Sequence, residues 1–407
     1  MSKNISRIFR TSLLLLAAGA AIFSTRADQP PEILYATAPY TAILNLGATN
    51  SVLLANASVC DAAGNFYVTG SFEGTAKFGT NVLGSNGGYA FDDMYVVKYD
   101  PAGNVLWARQ AGGTGKDFGT AITLDGAGGI YVAGTSDSYP ATFGTNILYM
   151  LTQSLFVVHY DGNGNLKWVE RGGSTGFPGG TVFVNGIAHD AANNVIVAGS
   201  FKGSPNFGGN FNGQTGNQTI YLTNHNTVVP TGSQDTYLAK FDAGGNLLWA
   251  INPGGPDNDY ANAVAVDSTG AIYTSGGYTY TNVLGGQTYT NSNEGIFLAK
   301  FSGTGDFVWS SNLSDPTNSN PGRGLALAVD GNDRITLSLQ GNNSGKPFAF
   351  RGSNYALAFG AINLLAQFDV NGNLYWLKQL ALNTGSSSLT VDKQNNLYLG
   401  GSYQANV

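Results

Sequence analysis

Apolar and polar positions follow one pattern that recurs six times along the chain. Each copy is an apolar run, a turn that begins with Asp and contains Gly or Asn, and a second run rich in Val, Ile and Tyr. Two such runs joined by such a turn predict a β-hairpin, whose strands we name A and B. The six turns begin at Asp61, Asp125, Asp190, Asp267, Asp330 and Asp392. These aspartates lie 64, 65, 77, 63 and 62 residues apart, which indicates a repeat architecture.

A second motif of ten residues alternates with the first. It begins as "KYDPAGNVLW" at 98–107 and returns at 159–168, 240–249, 300–309 and 367–376. Its two apolar runs flank a turn, so it predicts a second hairpin, with strands C and D. Because no helical periodicity lies between the motifs, one period holds four strands.

A meander of four strands that repeats six times predicts an all-β fold, the β-propeller of six four-stranded blades. The predicted strands are almost continuously apolar and do not alternate, as expected where both faces of a blade are covered by its neighbours. We expect residues 28–407 to form this propeller as a single domain.

The residues of the repeat resemble a known family. Segments such as "AITLDGAGGIYVAGTS" (121–136), followed by a "DxF"-like C strand ending in Lys and a "GG" segment, resemble the SBBP β-propeller repeat and, more distantly, the NHL repeat. The resemblance covers roughly residues 40–407. It implies the propeller fold but no catalytic residue, and the family usually has seven blades where six copies are present here.

The two ends of the chain bear on that difference in number. The sequence ends at Val407, just after the sixth B strand, while "ILYATAPYTAILNLG" (33–47) predicts two short strands split by Pro39. We expect these N-terminal strands to complete the last blade. The alternative is that the chain is an incomplete fragment of a seven-bladed propeller.

Residues 1–27 predict a secretory signal peptide. Lys3, Arg7 and Arg10 precede an apolar run at 13–23, and small residues flank Ala27, where we expect cleavage. The run is too short to span a bilayer, and we expect no integral membrane segment after cleavage. We therefore expect a secreted, periplasmic or cell-surface protein.

The net charge of the chain bears on whether nucleic acid is a partner. The chain carries a formal charge of -6, and loss of the four basic residues of the leader makes it -10, so nucleic acid is not expected as a partner. Cys60 is the single cysteine, which excludes an intrachain disulfide.

Several recurring residues could carry chemistry. The Asp, Asn and Gly turns have oxygen ligands of the kind that calcium takes, but turn chemistry is the favoured interpretation, so we predict no cofactor and keep calcium as the alternative. The D-strand tryptophans are expected to pack between blades, and the polar residue that begins each ten-residue motif, such as Lys98, to contact a neighbouring turn. The chain has only three histidines, which disfavours a catalytic triad or a zinc site.

The loops on one face of the predicted propeller differ most in length from blade to blade. A–B and C–D turns are short, whereas the B–C segments vary and hold a recurring Phe, at Phe78, Phe143 and Phe207, for which we expect a buried structural role. The D–A loops carry charges that we predict to bind a ligand. These candidate residues are Asp117, Asp257, Asp259 and Arg323.

The sequence therefore favours a non-enzymatic binding module for a glycan or protein ligand on the face that carries the B–C and D–A loops. One alternative is a polysaccharide lyase or glycosidase that works with carboxylates alone, because two carboxylates suffice for glycoside hydrolysis. A second alternative is a fragment of a larger cell-surface adhesion protein.

Overall fold

The computed structural model describes most of the chain from residue 52 onward and two short segments before it. The described ranges are 21–24, 32–35, 52–88, 91–150, 152–173, 180–209, 218–225, 233–314, 323–343, 348–350, 353–355, 360–380, 386–392 and 394–401. Every regular element in these ranges is a β-strand. The chain divides into two compact units, the first formed by residues 43–261 and the second by residues 1–42 and 262–407.

The first unit contains three antiparallel sheets with the predicted strand order A, B, C and D, which we number as blades 1 to 3. Blade 1 consists of β3 (Leu53–Cys60), β4 (Phe66–Phe72), β7 (Asp93–Tyr99) and β8 (Val105–Gly113). Blade 2 consists of β9 (Asp117–Leu124), β10 (Ile130–Ser136), β13 (Ser154–Tyr160) and β14 (Leu166–Gly173). Blade 3 consists of β15 (Thr181–His189), β16 (Val195–Lys202), β19 (Asp235–Phe241) and β20 (Leu247–Ile251).

The B–C segments of these blades form short hairpins of their own, which we call inserts. They are β5 (Thr75–Phe78) with β6 (Asn81–Gly84), β11 (Ala141–Phe143) with β12 (Asn146–Leu148), and β17 (Asn206–Gly208) with β18 (Thr219–Tyr221). The last two pair with the D strand of the preceding blade, so that blades 1 and 2 become six-stranded sheets.

Blades 4 to 6 lie in the second unit, apart from the first residues of blade 4, where the boundary between units falls. Blade 4 consists of β21 (Asp259–Val266), β22 (Ile272–Leu284), β23 (Gln287–Phe301) and β24 (Phe307–Asn312). Blade 5 consists of β25 (Arg323–Val329), β26 (Ile335–Asn343), β29 (Gly360–Phe368) and β30 (Leu374–Leu380), with an insert of β27 (Phe348–Phe350) and β28 (Ser353–Tyr355). The described part of the chain thus matches the repeat pattern strand by strand.

Blade 6 joins the two ends of the chain, as predicted, but with different residues. Its order is β2 (Glu32–Tyr35), β1 (Ala21–Ser24), β32 (Leu397–Gly401) and β31 (Ser386–Val391). β1 pairs with β32 and lies upstream of the 33–47 segment that was expected to supply both strands; residues 36–47 lie outside the described residues. Cleavage after Ala27, which the sequence predicts, would remove β1 and leave β2.

Neighbouring blades are joined by the D-strand tryptophans, as the sequence predicted. The indole N–H of Trp107 donates to the backbone oxygen of Gly162 (3.1 Å), in the C–D turn of the next blade. Trp168 donates in the same way to Ala243 (2.9 Å), and Trp309 to Val370 (3.0 Å). Burial of a ring that also satisfies its N–H is the arrangement that stabilises an indole inside a protein.

In two of the repeats, the residue that begins the ten-residue motif strengthens the same contact. The Lys98 ammonium group donates to the Gly162 oxygen, and that of Lys300 to the Val370 oxygen. Lys240 instead pairs with Asp190, in the A–B turn of its own blade, at 2.9 Å. His159 likewise contacts Asp125, with 2.8 Å between Nε2 and Oδ2. The predicted contact with a neighbouring turn is confirmed for the two lysines that reach the next blade.

The packing of Trp107 against the next C–D turn can be measured with a matched pair of glycines. Gly164 has φ of +75°, and a Cβ there would lie 2.7 Å from the Trp107 ring, whereas Gly103 has φ of +85° and nothing within 4 Å of such a Cβ. Gly103→Ala should cost about 1 kcal/mol because of its backbone conformation alone. Gly164→Ala should cost roughly 1 to 3 kcal/mol more through overpacking. Denaturant unfolding measures both, and equal losses would refute this tryptophan contact.

Pairing of β1 with β32 can be tested by truncation of the full chain. Removal of residues 1–35 should leave the β32 edge unpaired, which lowers the melting temperature and produces oligomers on size exclusion. Removal of residues 1–20 keeps both N-terminal strands and serves as the control. If both truncated chains are monomeric and melt at the same temperature, β1 and β2 do not stabilise blade 6.

Candidate functional site

The inserts are held rigidly on the face that carries the B–C and D–A loops. Thr142 in β11 pairs with Gly112 at the end of β8, and its hydroxyl donates to the Gly112 oxygen (3.0 Å). In the next blade, Phe207 in β17 pairs with Gly172 in β14. Each of these two inserts therefore belongs to one blade by sequence and to the preceding blade by hydrogen bonding, which fixes its position on this face.

A buried phenylalanine anchors the insert of each of blades 1 to 3, as the recurrence of that residue predicted. Every such ring is at most 2% exposed and lies 5.0 Å, centroid to centroid, from an aromatic ring of the C strand in its own blade. The pairs are Phe78 with Tyr95, Phe143 with Phe156, and Phe207 with Tyr237. The inserts are thus rigid mounts for the side chains on their outer surface.

Exposed tyrosines lie on the outer side of two inserts. Tyr139 and Tyr149 flank the β11–β12 hairpin, are 57% and 52% exposed, and have ring centroids 5.0 Å apart. Tyr221, at the end of β18, is 70% exposed. Sequence reasoning missed all three because their spacing follows no repeat. Their signal was an aromatic residue on each side of a short hairpin that already had its buried Phe.

The charged residues predicted from the D–A loops lie in different environments. Asp117 and Asp259 begin β9 and β21, and both side chains are fully buried. Asp257 is half-buried in the loop that precedes β21. Arg323 begins β25, in the other unit, and its side chain lies outside the described residues. The structure therefore leaves Asp117 and Asp259 no exposed surface for a polysaccharide, although a small ion could still contact them.

Each of these buried aspartates lies near a second one that sequence reasoning missed. Asp93 begins β7 and Asp235 begins β19, and both are fully buried. The backbone brings the pairs together in the same way, because the N–H of Asp117 donates to the Asp92 oxygen and that of Asp259 to the Gln234 oxygen, both at 2.7 Å. A spacing signal existed, since Asp93 and Asp235 both lie five residues before the lysine of the ten-residue motif.

The two carboxylates at the junction of blades 1 and 2 meet at Gly112. A Cβ on Gly112 would lie 2.6 Å from Oδ2 of Asp117 and 2.7 Å from Oδ1 of Asp93. Oδ2 of Asp117 accepts hydrogen bonds from the backbone N–H of Gly113 (2.9 Å) and the hydroxyl of Ser138 (2.7 Å). Oδ2 of Asp93 accepts bonds from the backbone (3.1 Å) and side-chain (3.0 Å) N–H groups of Asn86. Only a residue without a side chain fits between the two acids.

The corresponding pair at blades 3 and 4 has a different balance of charge. Oδ2 of Asp259 accepts the backbone N–H of Gly255 (2.6 Å). Oδ2 of Asp235 accepts the backbone N–H of His225 (2.7 Å) and lies 3.0 Å from Nδ1 of the same histidine. The hydrogen bond with Asp235 raises the pKa of His225, so this second pair has a titratable imidazole beside it that the first pair lacks among its described contacts.

Burial raises the pKa of three of these buried aspartates. It raises the pKa of Asp93 to about 7, opposed by the hydrogen bond from Asn86 and assisted by the charges of Asp117 and Asp92. Burial likewise raises the pKa of Asp117 to about 6, although the hydroxyls of Ser136 and Ser138 favour its charged form. For Asp259, burial raises the pKa to about 8, and the charges of Asp235 and Asp257 add to the effect.

The aspartates of the turns behave in the opposite way. Oδ1 of Asp161 accepts the backbone N–H groups of Asn163 and Asn165, and its Oδ2 accepts the side-chain N–H of Asn165. These bonds, led by the one from the Asn165 side chain, lower the pKa of Asp161. The same set of hydrogen bonds to both carboxylate oxygens recurs at Asp61, Asp100, Asp242 and Asp369. Turn chemistry thus uses both carboxylate oxygens, as predicted.

Two surveys of the described ranges bear on metals and membranes. In these ranges, no three His, Cys, Asp or Glu side chains lie together in an arrangement that could hold a metal ion. A helix long and apolar enough to cross a membrane is also not found there.

The buried acids predict a stability that falls as pH rises. The pKa of Asp93 lies above its unfolded value of 3.8, so the folded protein binds this proton more tightly than the unfolded chain does. The stability that protonated Asp93 contributes is therefore full below about pH 4 and lost by about pH 7. In chelator, the melting temperature should fall by several degrees from about pH 5 to about pH 8 through this group. Asp93→Asn, which keeps the shape without the charge, should raise it at about pH 8.

Asp161→Asn is the control, because this substitution should change the melting temperature in the opposite direction. Its carboxylate is stabilised as the charged form, so the substitution should lower the melting temperature at about pH 8. An Asp93→Asn protein that melts below the parent at that pH would contradict the raised pKa.

Comparisons with known proteins agree with the fold and cover limited parts of the relatives. A model of the SBBP β-propeller repeat matches residues 106–140, which run from β8 through β10 and beyond. The chain is 25% identical over 229 residues to an uncharacterised WD repeat-containing protein of Acanthamoeba polyphaga mimivirus, across 50% of this chain and 15% of that protein. It is 26% identical over 191 residues to the regulatory protein FlaEY of Caulobacter vibrioides, across 45% of this chain and 18% of that protein. The chain therefore spans less than a fifth of the length of these relatives.

Solved structures that match parts of the chain include the periplasmic gluconolactonase of Pseudomonas aeruginosa, with a TM-score of 0.44 and 10% identity over 92% of this chain and 82% of that one. The β-propeller domain of the Trilobed protease from Pyrococcus furiosus has a TM-score of 0.41 and 7% identity over 86% of this chain and 78% of that one. The chain is thus similar to the SBBP β-propeller repeat over residues 106–140, and the four-strand order of that region recurs in successive antiparallel sheets of the described residues.

Proposed function

We propose that the chain is a non-enzymatic binding module that takes a glycan on the surface formed by Tyr139 and Tyr149, which we call the tyrosine pair. The observation that carries this proposal is the exposure of both rings, 57% and 52%, on an insert that is itself fixed by hydrogen bonds to blade 1. A tyrosine has an apolar ring for the C–H face of a sugar and a hydroxyl for its polar groups.

The fixed position of the β11–β12 insert favours ligand binding as the role of the two exposed rings. The β11–β12 insert carries Phe143, fully buried against Phe156, so the tyrosine pair lies on a surface that loses little freedom when a ligand binds. The two hydroxyls belong to a chain of negative formal charge, which suits a neutral or cationic glycan better than an anionic one. Export through the signal peptide predicted at residues 1–27 would bring the surface into contact with extracellular polysaccharide.

The carboxylate-dependent lyase or glycosidase has less support. Such an enzyme needs two carboxyl groups within reach of the glycosidic bond. Asp117 and Asp259 are fully buried, and each faces another buried aspartate of its own junction. Their burial argues against direct contact with a polysaccharide. The adhesion-fragment alternative is compatible with a binding module, because the same surface could serve as one domain of a longer protein.

Affinity electrophoresis in gels that contain neutral soluble polysaccharides tests the tyrosine pair. The parent chain should be retarded by at least one of xylan, mixed-linkage β-glucan, galactomannan or laminarin. Loss of both rings in Tyr139→Ala/Tyr149→Ala should weaken binding by roughly 10-fold or more, since a single aromatic contact contributes about 0.5 to 1.5 kcal/mol beyond its area.

Tyr375→Ala is the matched control. Tyr375 is 52% exposed, as Tyr149 is, but lies on the D strand of blade 5, where Arg334 covers its ring at 5.1 Å. It should bind as the parent does. Equal retardation of the double variant and the parent would refute the tyrosine pair as the glycan surface. If the parent chain retains a protein from culture supernatant and the double variant does not, a protein ligand is favoured instead.

A further inference from the structure

The tyrosine pair is connected by hydrogen bonds to a buried aspartate of blade 2. Tyr139 directly follows Ser138 in the chain, and Tyr149 directly precedes Met150. The backbone N–H of Met150 donates to the Ser138 oxygen at 3.2 Å, so this bond joins the backbone next to both rings. The Ser138 hydroxyl donates to Oδ2 of Asp117 at 2.7 Å. Asp117 is therefore linked to the backbone of both tyrosines through Ser138.

The same carboxylate oxygen also holds the strand to which the insert is paired. Oδ2 of Asp117 accepts the backbone N–H of Gly113 (2.9 Å), the last residue of β8. Gly113 in turn pairs with Ala141, the first residue of β11. One oxygen thus bonds to the end of blade 1 and to the residue before Tyr139. Because Asp117 and Ser138 are both fully buried, their hydrogen bond is stronger than it would be in water.

The corresponding position of blade 3 has no such link. Val182 occupies the position of Asp117, since each lies eight residues before the aspartate of its A–B turn. The backbone N–H of Val182 donates to the Gln153 oxygen (2.9 Å), as that of Asp117 donates to the Asp92 oxygen (2.7 Å). This backbone contact between blades is therefore made with a valine as well as with an aspartate. The carboxylate of blade 2 adds two hydrogen bonds, and one of them leads to the tyrosine pair.

We propose that Asp117 is a positioning residue for glycan binding, whose ionised carboxylate holds Ser138 and, through it, the tyrosine pair in the binding arrangement. This inference rests on the proposed function of the tyrosine pair and names what controls it. A hydrogen bond to a charged group is about twice as strong as one between neutral groups, so ionisation tightens the bond to Ser138. The two rings, 5.0 Å apart at an interplanar angle of 56°, then lose less freedom when a sugar binds.

The groups around Asp117 are mostly acidic. Asp93 of β7 lies opposite it, and the charge of Asp137, in the loop after β10, acts on it. Asp92 precedes Asp93 in the chain, and the exposed Lys116 precedes Asp117. Among the described residues, neither Lys116 nor another cationic side chain forms an ion pair with Asp117. The charge on Asp117 is therefore set by its burial and its hydrogen bonds.

The charge of Asp117 changes between weakly acidic and neutral pH. Burial raises the pKa of Asp117 to about 6, although the hydroxyls of Ser136 and Ser138 favour its charged form. The ionised fraction rises from about a quarter at about pH 5.5 to about nine-tenths at about pH 7, and a glycan that binds the ionised form gains affinity in that proportion. Folding stability changes in the opposite direction, because the stability from protonated Asp117 is full below about pH 4 and lost by about pH 6. A merely structural role would not raise affinity while stability falls.

Isothermal titration of the full chain measures this dependence. The probe is whichever of xylan, mixed-linkage β-glucan, galactomannan and laminarin retards the parent chain most. Its Kd for the parent should fall roughly 3-fold from about pH 5.5 to about pH 7. Asp117→Asn keeps the shape and a hydrogen-bond acceptor but does not titrate. Its Kd should be the same at both pH values, and at about pH 7 it should be roughly 3-fold weaker than that of the parent.

Ser138→Ala removes the link and keeps the carboxylate. It should weaken binding at least as much as Asp117→Asn and should abolish the pH dependence. Asp235→Asn is the control, because Asp235 is also fully buried at a blade junction but accepts hydrogen bonds from His225 and Asn252. It should keep both the parent Kd and its pH dependence. If Ser138→Ala fails to fold, Asp117→Asn carries the test.

Hydrogen exchange separates this inference from the proposed function, because it needs no glycan. At about pH 7, backbone amides of residues 138–150 should exchange faster in Asp117→Asn and Ser138→Ala than in the parent, whereas those of β16 should be unchanged. A parent chain that binds none of the four polysaccharides would refute the glycan surface. Exchange at residues 138–150 would then decide by itself whether Asp117 positions the tyrosine pair.

Two outcomes would overturn the role of Asp117. One is a parent chain that binds a polysaccharide with the same Kd at both pH values. The other is an Asp117→Asn chain whose Kd, pH dependence and hydrogen exchange at residues 138–150 all match those of the parent. Either result would leave the tyrosine pair as the glycan surface without a positioning residue at this junction.

Discussion

The contact between the D-strand tryptophan of one blade and the C–D turn of the next is the interaction on which the rest of the structure depends. A four-stranded sheet with two apolar faces cannot remain alone in water, and each blade here has to cover its neighbour. The indole supplies apolar area for the gap between sheets, and its N–H fixes the register of one sheet on the next through a single carbonyl, as in Trp168 with Ala243. Similar geometry in both units shows that Trp107, Trp168 and Trp309 make the same contact, whereas Trp376 donates to Gln367 of its own blade.

That contact explains the composition of the C–D turns. The carbonyl that receives the indole lies one residue after the turn aspartate in each of these blades, as Gly162 follows Asp161 and Val370 follows Asp369. Its direction is fixed because the aspartate binds the backbone N–H groups two and four residues later. The glycine with positive φ that completes the turn also makes room for the ring, since a Cβ on Gly164 or Gly245 would lie within 3.0 Å of it. The turn aspartates, which resemble cation ligands in the sequence, therefore orient the carbonyl that accepts the indole N–H.

The face that carries the B–C and D–A loops takes no part in these contacts between blades, so its residues can differ from blade to blade. It holds the features that point to function. The inserts are anchored by one buried ring each and by strand pairing with the preceding blade, so their outer residues are under little constraint from folding. The buried acids at two junctions work against stability because burial raises their pKa values.

The sequence by itself determined the strands, their order and the role of the tryptophans, because these follow from local periodicity repeated at a constant interval. It also determined the buried role of Phe143 and the turn chemistry of Asp161, since both residues recur at fixed places in the repeat. Only the tertiary structure showed that Asp117 is buried opposite Asp93, which lies 24 residues earlier, and that Tyr139 and Tyr149 stay exposed together. The pairing of β1 with β32 was also decided there, because several short N-terminal segments could satisfy the same edge. The physical reason is common to all three: burial and strand pairing between distant residues depend on which surfaces meet, and no local pattern of apolar and polar residues encodes that.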